Sequence, residues 1–243
     1  MTKNSQSRNS FFTSKKTWSR YDGKLHWAQC AFSKEHYYPD LFKDFNIVRP
    51  VTIEKSTIKR QAEFFAGRYA AKLALENHQY ALNTPLSIPT GKHREPIWPA
   101  GYIGSISHCS GIALCTVALR NEIHYLGIDI EHYIPEQLAV KIAHQIHTEH
   151  EQSLLRKVGL SCSQSTTLLY SAKESFFKAI FPQVGEYFGF ECISLIAVNM
   201  SESKLFFEVK DYFHRRYLLE PLYECQFQLC SLYVTTLITK QKV

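Results

Sequence analysis

The chain has 243 residues, 45% of them apolar and 14% aromatic, which is enough to bury a sizeable core and excludes a disordered chain. Its formal net charge of +6 suits nucleic acid, phosphorylated small molecules and an acidic protein partner alike, so charge by itself selects no function class. The seven cysteines are odd in number and include no C-x-x-C pair, so neither a disulfide framework nor a zinc site is suggested and a reducing cytoplasm is the simplest setting; no apolar run approaches a membrane span, and the N-terminus lacks the apolar core of a signal peptide.

Residues 1–20 are polar and basic and are expected to be a flexible arm. Leu25 to Phe32 reads as a first strand, and Tyr37 to Phe45 as an aromatic-rich loop or short helix. From Thr57 to Asn77, Ile58, Ala62, Phe65, Ala66, Tyr69 and Leu73 recur at helical spacing and make one apolar stripe. Arg60 and Arg68 lie on a neighbouring face, a little over two turns apart, where both can reach one polyanionic ligand or form a solvated basic flank. Leu82 to Gly101 is turn-rich and carries Lys92, His93 and Arg94 at a basic tip. It leads into a strand from Tyr102 to Cys109, a Gly111 turn and a returning strand from Ile112 to Leu119, with Ser107 and His108 near the turn.

The next strand, Tyr125 to Glu131, alternates Leu126, Ile128 and Ile130 on one face with Gly127, Asp129 and Glu131 on the other. Two carboxylates side by side raise each other's pKa unless a cation sits between them, and hard oxygen ligands suit Mg²⁺. A half-buried strand with an acidic solvent face would look the same. Beyond it, Glu136 to Ile146 reads as a helix, and Thr148 with Glu151 as a capping box opening a second one that ends near Gly159. The spacing of His144, His147 and His150 drifts around a helix and does not support a metal site. Ser161 to Thr166 is expected to be a loop, Thr167 to Phe181 a helix ended by Pro182, with Glu174 and Lys178 one turn apart on its exposed face. Glu191 to Val198, Leu205 to Lys210, Arg216 to Glu220 and Cys225 to Thr236 read as strands of a closing sheet.

Ser105-Ile106-Ser107-His108, Gly127-Ile128-Asp129-Ile130-Glu131 and Ser171-Ala172-Lys173-Glu174-Ser175-Phe176-Phe177-Lys178 occur in the order and spacing of the phosphopantetheinyl transferases. The chain closely resembles the branch of that family that includes enterobactin synthase component D. Lys59 to Arg68 and Arg94 to Pro99 look like two further blocks of the branch. The resemblance implies an α/β (α+β) protein of two pseudo-twofold lobes, each a small antiparallel sheet packed with a long helix, with the active site in the cleft between them. The expected organisation is an arm at 1–20, an N-terminal lobe at 21–120 and a C-terminal lobe at 121–243.

It also implies the reaction: the 4'-phosphopantetheine arm of coenzyme A passes to a serine of an acidic apo carrier protein domain, releasing adenosine 3',5'-bisphosphate. The carrier would be peptidyl, aryl or acyl, serving a siderophore or other nonribosomal peptide or polyketide synthase. By resemblance, Asp129, Glu131 and Glu174 would hold Mg²⁺, Glu174 would serve as general base, and Lys178 would hold phosphate. Arg60, Arg68, Arg94 and His108, assisted by Ser107 and Lys92, would bind the phosphates of coenzyme A. Many relatives carry Trp three residues before the lysine of the lysine-glutamate pair, where this chain has Tyr170. A monomer without integral membrane segment or nucleic-acid partner is expected. The carboxylates and arginines alone would also permit another Mg²⁺-dependent phosphoryl or nucleotidyl transferase acting on a nucleotide.

Overall fold

The computed structural model describes residues 11–80 and 85–242, and these divide into two compact units. One comprises the described residues up to Ile123 together with Lys242, and the other is His124–Gln241. In chain order the elements are β1 (Phe12–Arg20), β2 (Leu25–Phe32), α1 (Ile58–Asn77), β3 (Tyr102–Cys109), β4 (Ile112–Leu119), β5 (Ile123–His132), α2 (Glu136–Ile146), α3 (Glu149–Lys157), α4 (Cys162–Val184), β6 (Ile193–Asn199), β7 (Lys204–Val209), α5 (Asp211–Tyr217), β8 (Leu222–Leu229) and β9 (Tyr233–Gln241).

The first unit is an antiparallel sheet of order β1-β2-β4-β3 with α1 laid across β2 and β4. Its core is aromatic: Phe11, Phe12, Phe65 and Tyr69 pack with ring centroids 4.3 to 6.4 Å apart. This corrects the expectation of a flexible arm over its second half. Phe11 and Phe12 are buried, Trp18 stacks on Trp27 at 5.6 Å, and β1 pairs along β2 from Phe12 to Arg20 as an edge strand. Those partners lie on another strand, and a run of Ser, Lys and Thr does not announce them. Residues 1–10 of the expected arm lie outside the described residues.

The second unit carries a sheet of order β5-β9-β8-β7-β6, with α4 packed on β9 and on α2. The helix α4 is longer than the sequence suggests at both ends. Ser161 and Gln164 form a capping box, so the expected loop at 161–166 is the first turn of the helix. Pro182 sits inside the last turn and does not stop it; Gly185, in the left-handed conformation, does. Two expected strands are also corrected. Arg216 falls in α5, held by an Asp211–Arg215 pair and a buried Phe213, and the run from Cys225 to Thr236 is two strands joined by a hairpin turn.

Glu151 ties four elements of this unit together. Its Oε2 accepts from the Thr148 amide at 2.8 Å, closing the capping box of α3, and its Oε1 accepts from the Leu195 amide of β6 at 2.9 Å. Lys173 of α4 approaches the same carboxylate at 3.0 Å and donates to the Ile146 carbonyl at the end of α2. Both side chains are almost fully buried, and burial lowers the Lys173 pKa. Glu151→Ala leaves that ammonium buried without its counter-charge and is expected to cost about 3 to 5 kcal/mol, read by urea denaturation.

Candidate active site

A cavity of about 640 Å³ in the first unit gathers Arg60, Arg68, Arg94 and His108, residues singled out in the sequence on three separate stretches. Thr57 caps α1 by accepting from the Arg60 amide, which sets Arg60 in the first turn and Arg68 two turns on. A Cβ at Gly67 would meet Ile106 Cγ2 at 3.0 Å, so α1 lies close against β3. That approach brings Arg60 Nη1 to 3.2 Å from His108 Nε2.

Arg94 enters from the loop before β3. The Gly91 amide donates to the Glu95 carbonyl at 2.8 Å and the Arg94 amide to the Gly91 carbonyl at 3.1 Å, making a tight turn with Arg94 at φ +69°. A non-glycine residue there is strained, and such strain concentrates at functional sites.

Arg68 is 7% exposed, donates from Nε to the Ile88 carbonyl at 3.1 Å and lies 4.4 Å over the Phe64 ring. Among the described residues it forms no ion pair with a carboxylate. Burial lowers its pKa to about 10 and Arg60 adds repulsion, yet it stays charged near neutrality. A buried cation without a carboxylate partner is costly unless an anion arrives, which marks this cavity as an anion site.

Ser107 is not part of this lining. It is 5% exposed and alternates onto the opposite face of β3 from Ile106 and His108. Lys92 is exposed at the turn and does not line the cavity either. Thr52, Ser56, Glu63 and Thr90 do line it and were not anticipated; only Glu63 carried a signal, standing one turn after Arg60 on α1.

The carboxylates belong to the second unit, on β5 and α4. A Cβ at Gly127 would lie 2.0 Å from the Ser175 carbonyl oxygen and 2.5 Å from the Ala179 amide, so α4 rests directly on the strand backbone. The face shared by Gly127, Asp129 and Glu131 therefore carries a helix and is no acidic solvent face. Asp129 is 2% exposed, and Lys178 Nζ reaches its Oδ1 at 2.6 Å.

Burial pushes the Glu131 carboxyl up to about 7, with Asp129 and Glu174 adding and Lys178 opposing. Glu174 is raised by burial, opposed by Lys178 and reinforced by Asp129. Tyr170 is raised by burial and then by Glu174, Glu131 and Asp129, so all five groups share one electrostatic neighbourhood.

Among the described residues, no three His, Cys, Asp or Glu side chains stand in an arrangement that could hold a metal ion as they are. The side chains of Asp129, Glu131 and Glu174 nevertheless fit Mg²⁺ in kind: three carboxylates share a neighbourhood with a single ammonium, and a divalent ion would offset the burial that chiefly raises Glu131 and the repulsion that adds to it.

Comparison with known proteins adds what geometry leaves open. The sequence profile of the 4'-phosphopantetheinyl transferase N-terminal domain matches residues 49–118, and that of the 4'-phosphopantetheinyl transferase superfamily matches residues 125–232. The chain belongs to this superfamily. Enterobactin synthase component D of Escherichia coli O157:H7 is 40% identical over 121 residues, 50% of this chain and 55% of that protein. The 4'-phosphopantetheinyl transferase PptT of Mycobacterium tuberculosis is 30% identical over 159 residues, 63% of this chain and 68% of that protein. The 4'-phosphopantetheinyl transferase Npt of Nocardia iowensis is 31% identical over 161 residues, 65% of this chain and 64% of that protein. The chain of this superfamily member spans about half the length of the enterobactin synthase components it matches.

The Glu131 pKa sets a pH dependence. Between about pH 4.5 and 7 the folded state keeps a proton that the unfolded chain has lost, so stability falls as pH rises through this window. Glu131→Gln removes the effect: in the presence of a chelator the variant should melt higher than wild type at pH 8 and at the same temperature near pH 4.

Proposed function

We propose that this chain transfers the 4'-phosphopantetheine arm of coenzyme A to a serine hydroxyl of an apo carrier protein domain. The observation that carries the proposal is the convergence of Arg60, Arg68, Arg94 and His108 on one cavity, in a chain whose family profiles span both units. Coenzyme A presents a 3'-phosphate and a pyrophosphate, which is the polyanion that three arginines and a histidine suit. The name of the Escherichia coli relative favours a carrier domain of a synthase of the enterobactin kind, be it aryl, peptidyl or acyl.

In the proposed reaction the serine Oγ attacks the phosphorus that bears the pantetheine. A new O–P bond forms, the bond to the bridging oxygen breaks, and adenosine 3',5'-bisphosphate leaves with the electron pair. Glu174 accepts the serine proton; burial raises its pKa toward the range in which a carboxylate is an effective base. Lys178 donates to phosphate oxygen as negative charge moves to the leaving group. Arg60, Arg68, Arg94 and His108 hold the 3'-phosphate and pyrophosphate. Mg²⁺, held by Asp129, Glu131 and Glu174, would neutralise charge on the pyrophosphate.

All seven cysteines are free, which suits a reducing compartment such as the cytoplasm, and no helix among the described residues is long and apolar enough to cross a membrane.

Incubation with coenzyme A, Mg²⁺ and an apo carrier domain, followed by intact mass, should show the carrier gain one phosphopantetheine arm. No gain with aryl, peptidyl or acyl carriers would sink the proposal. Asp129→Ala should abolish transfer, and Glu174→Gln should lower kcat at least about a hundredfold at saturating coenzyme A. Arg60→Ala and Arg68→Ala should weaken coenzyme A far more than dephospho-coenzyme A. Mg²⁺ should raise the melting temperature of wild type and not of Asp129→Ala, a readout independent of turnover.

A further inference from the structure

Glu63 is out of place in the cavity that holds the arginines. Among the described residues lining that cavity it is the one carboxylate, beside Arg60, Arg68, Arg94 and His108. Its side chain is 15% exposed, and its nearest cation, Lys59, stands 3.9 Å away, beyond hydrogen-bond distance. A surface pair at that separation contributes little, so pairing with Lys59 does not account for the residue. Glu63 also lines a second cavity of about 250 Å³, whose other walls include Phe32, Lys34, Lys59 and Gly111. It therefore stands where two cavities adjoin, with cationic side chains on both sides.

A carboxylate repels phosphate, so the part of a ligand that faces Glu63 is one that donates a hydrogen bond without carrying negative charge. In coenzyme A the segment between the 3'-phosphate and the pyrophosphate is the nucleoside, which bears two such donors: the ribose 2'-hydroxyl and the adenine 6-amino group. We infer that Glu63 is a specificity-determining residue that accepts a hydrogen bond from the nucleoside of coenzyme A, while the arginines around it hold the phosphates. This role rests on the coenzyme A reading of the cavity. It assigns a division of labour along α1, in which Arg60 and Arg68 read charge and Glu63, between them, reads a neutral donor.

The test compares coenzyme A with two analogues, one with hypoxanthine in place of adenine and one lacking the 2'-hydroxyl, in the carrier-transfer assay. A site built to accept from a donor rejects the ligand that lacks it, and a hydrogen bond to a charged group sets the scale at about tenfold or more in kcat/KM. Wild type should disfavour one of the two analogues by that factor, and which one identifies the donor. Glu63→Leu should lower the use of coenzyme A to the level of that analogue and cost nothing further with the analogue itself. Glu63→Gln keeps the shape and adds an amide donor. It should improve the hypoxanthine analogue if the base is read, or reduce discrimination against the deoxy analogue if the hydroxyl is.

An equal change for all three ligands in both variants, or a wild type indifferent to both analogues, overturns the assignment while leaving the transferase reading intact. A wild type that neither binds nor uses coenzyme A overturns both.

Discussion

The absence of a side chain at Gly127 is the constraint from which the carboxylate cluster of the second unit follows. Any Cβ there would collide with the backbone of α4, so only glycine lets the helix rest on the strand. That contact turns a strand face that alternation alone would leave to solvent into a buried seam. It also sets Lys178 within hydrogen-bond distance of Asp129. Burial then does the electrostatic work: it raises Glu131 and Glu174, and the nearness of Asp129 adds to both. A close backbone approach is thus converted into a cluster of carboxylates that favours a proton or a cation.

The first unit solves a complementary problem. Here the helix is again brought close by a glycine, Gly67, but the groups gathered are cations. Arg68 is buried against Phe64 and the Ile88 carbonyl without a carboxylate ion pair among the described residues, and Arg94 is held in a strained conformation by its own turn. Both features cost stability, and an anion would offset the burial of the Arg68 charge. Glu63 among them adds discrimination to attraction, because a cavity of cations alone would accept any polyphosphate of suitable size.

A second polar device, within the second unit, shows how neighbouring charges divide between packing and the carboxylate cluster. Lys173 precedes Glu174 in the motif, yet it points to Glu151, where the ammonium is balanced by a carboxylate and a carbonyl. Neighbours in sequence on one helix, 100° apart, serve different ends: one holds α2, α3 and β6 together, the other faces the carboxylates of β5.

Much of this was legible in the sequence. The strands at Leu25–Phe32, Tyr102–Cys109 and Ile112–Leu119 and the helices at Ile58–Asn77 and Glu136–Ile146 follow from apolar periodicity and turn residues, which act over a few neighbours. The capping box at Thr148 and Glu151 is likewise local. The motifs named Arg60, Arg68, Arg94, His108, Asp129, Glu131, Glu174 and Lys178 because chemistry of phosphate and metal restricts residue type. What the tertiary structure alone decided is which of these meet. Strand alternation turned Ser107 away from His108, although the two are adjacent in the chain. The strand β1 formed because β2 offered it an edge, and Lys173 found Glu151, on the preceding helix. Glu63 acquired a meaning only once the cavity placed it among arginines. Each of these depends on contacts between residues distant in sequence, whose energies no local pattern records.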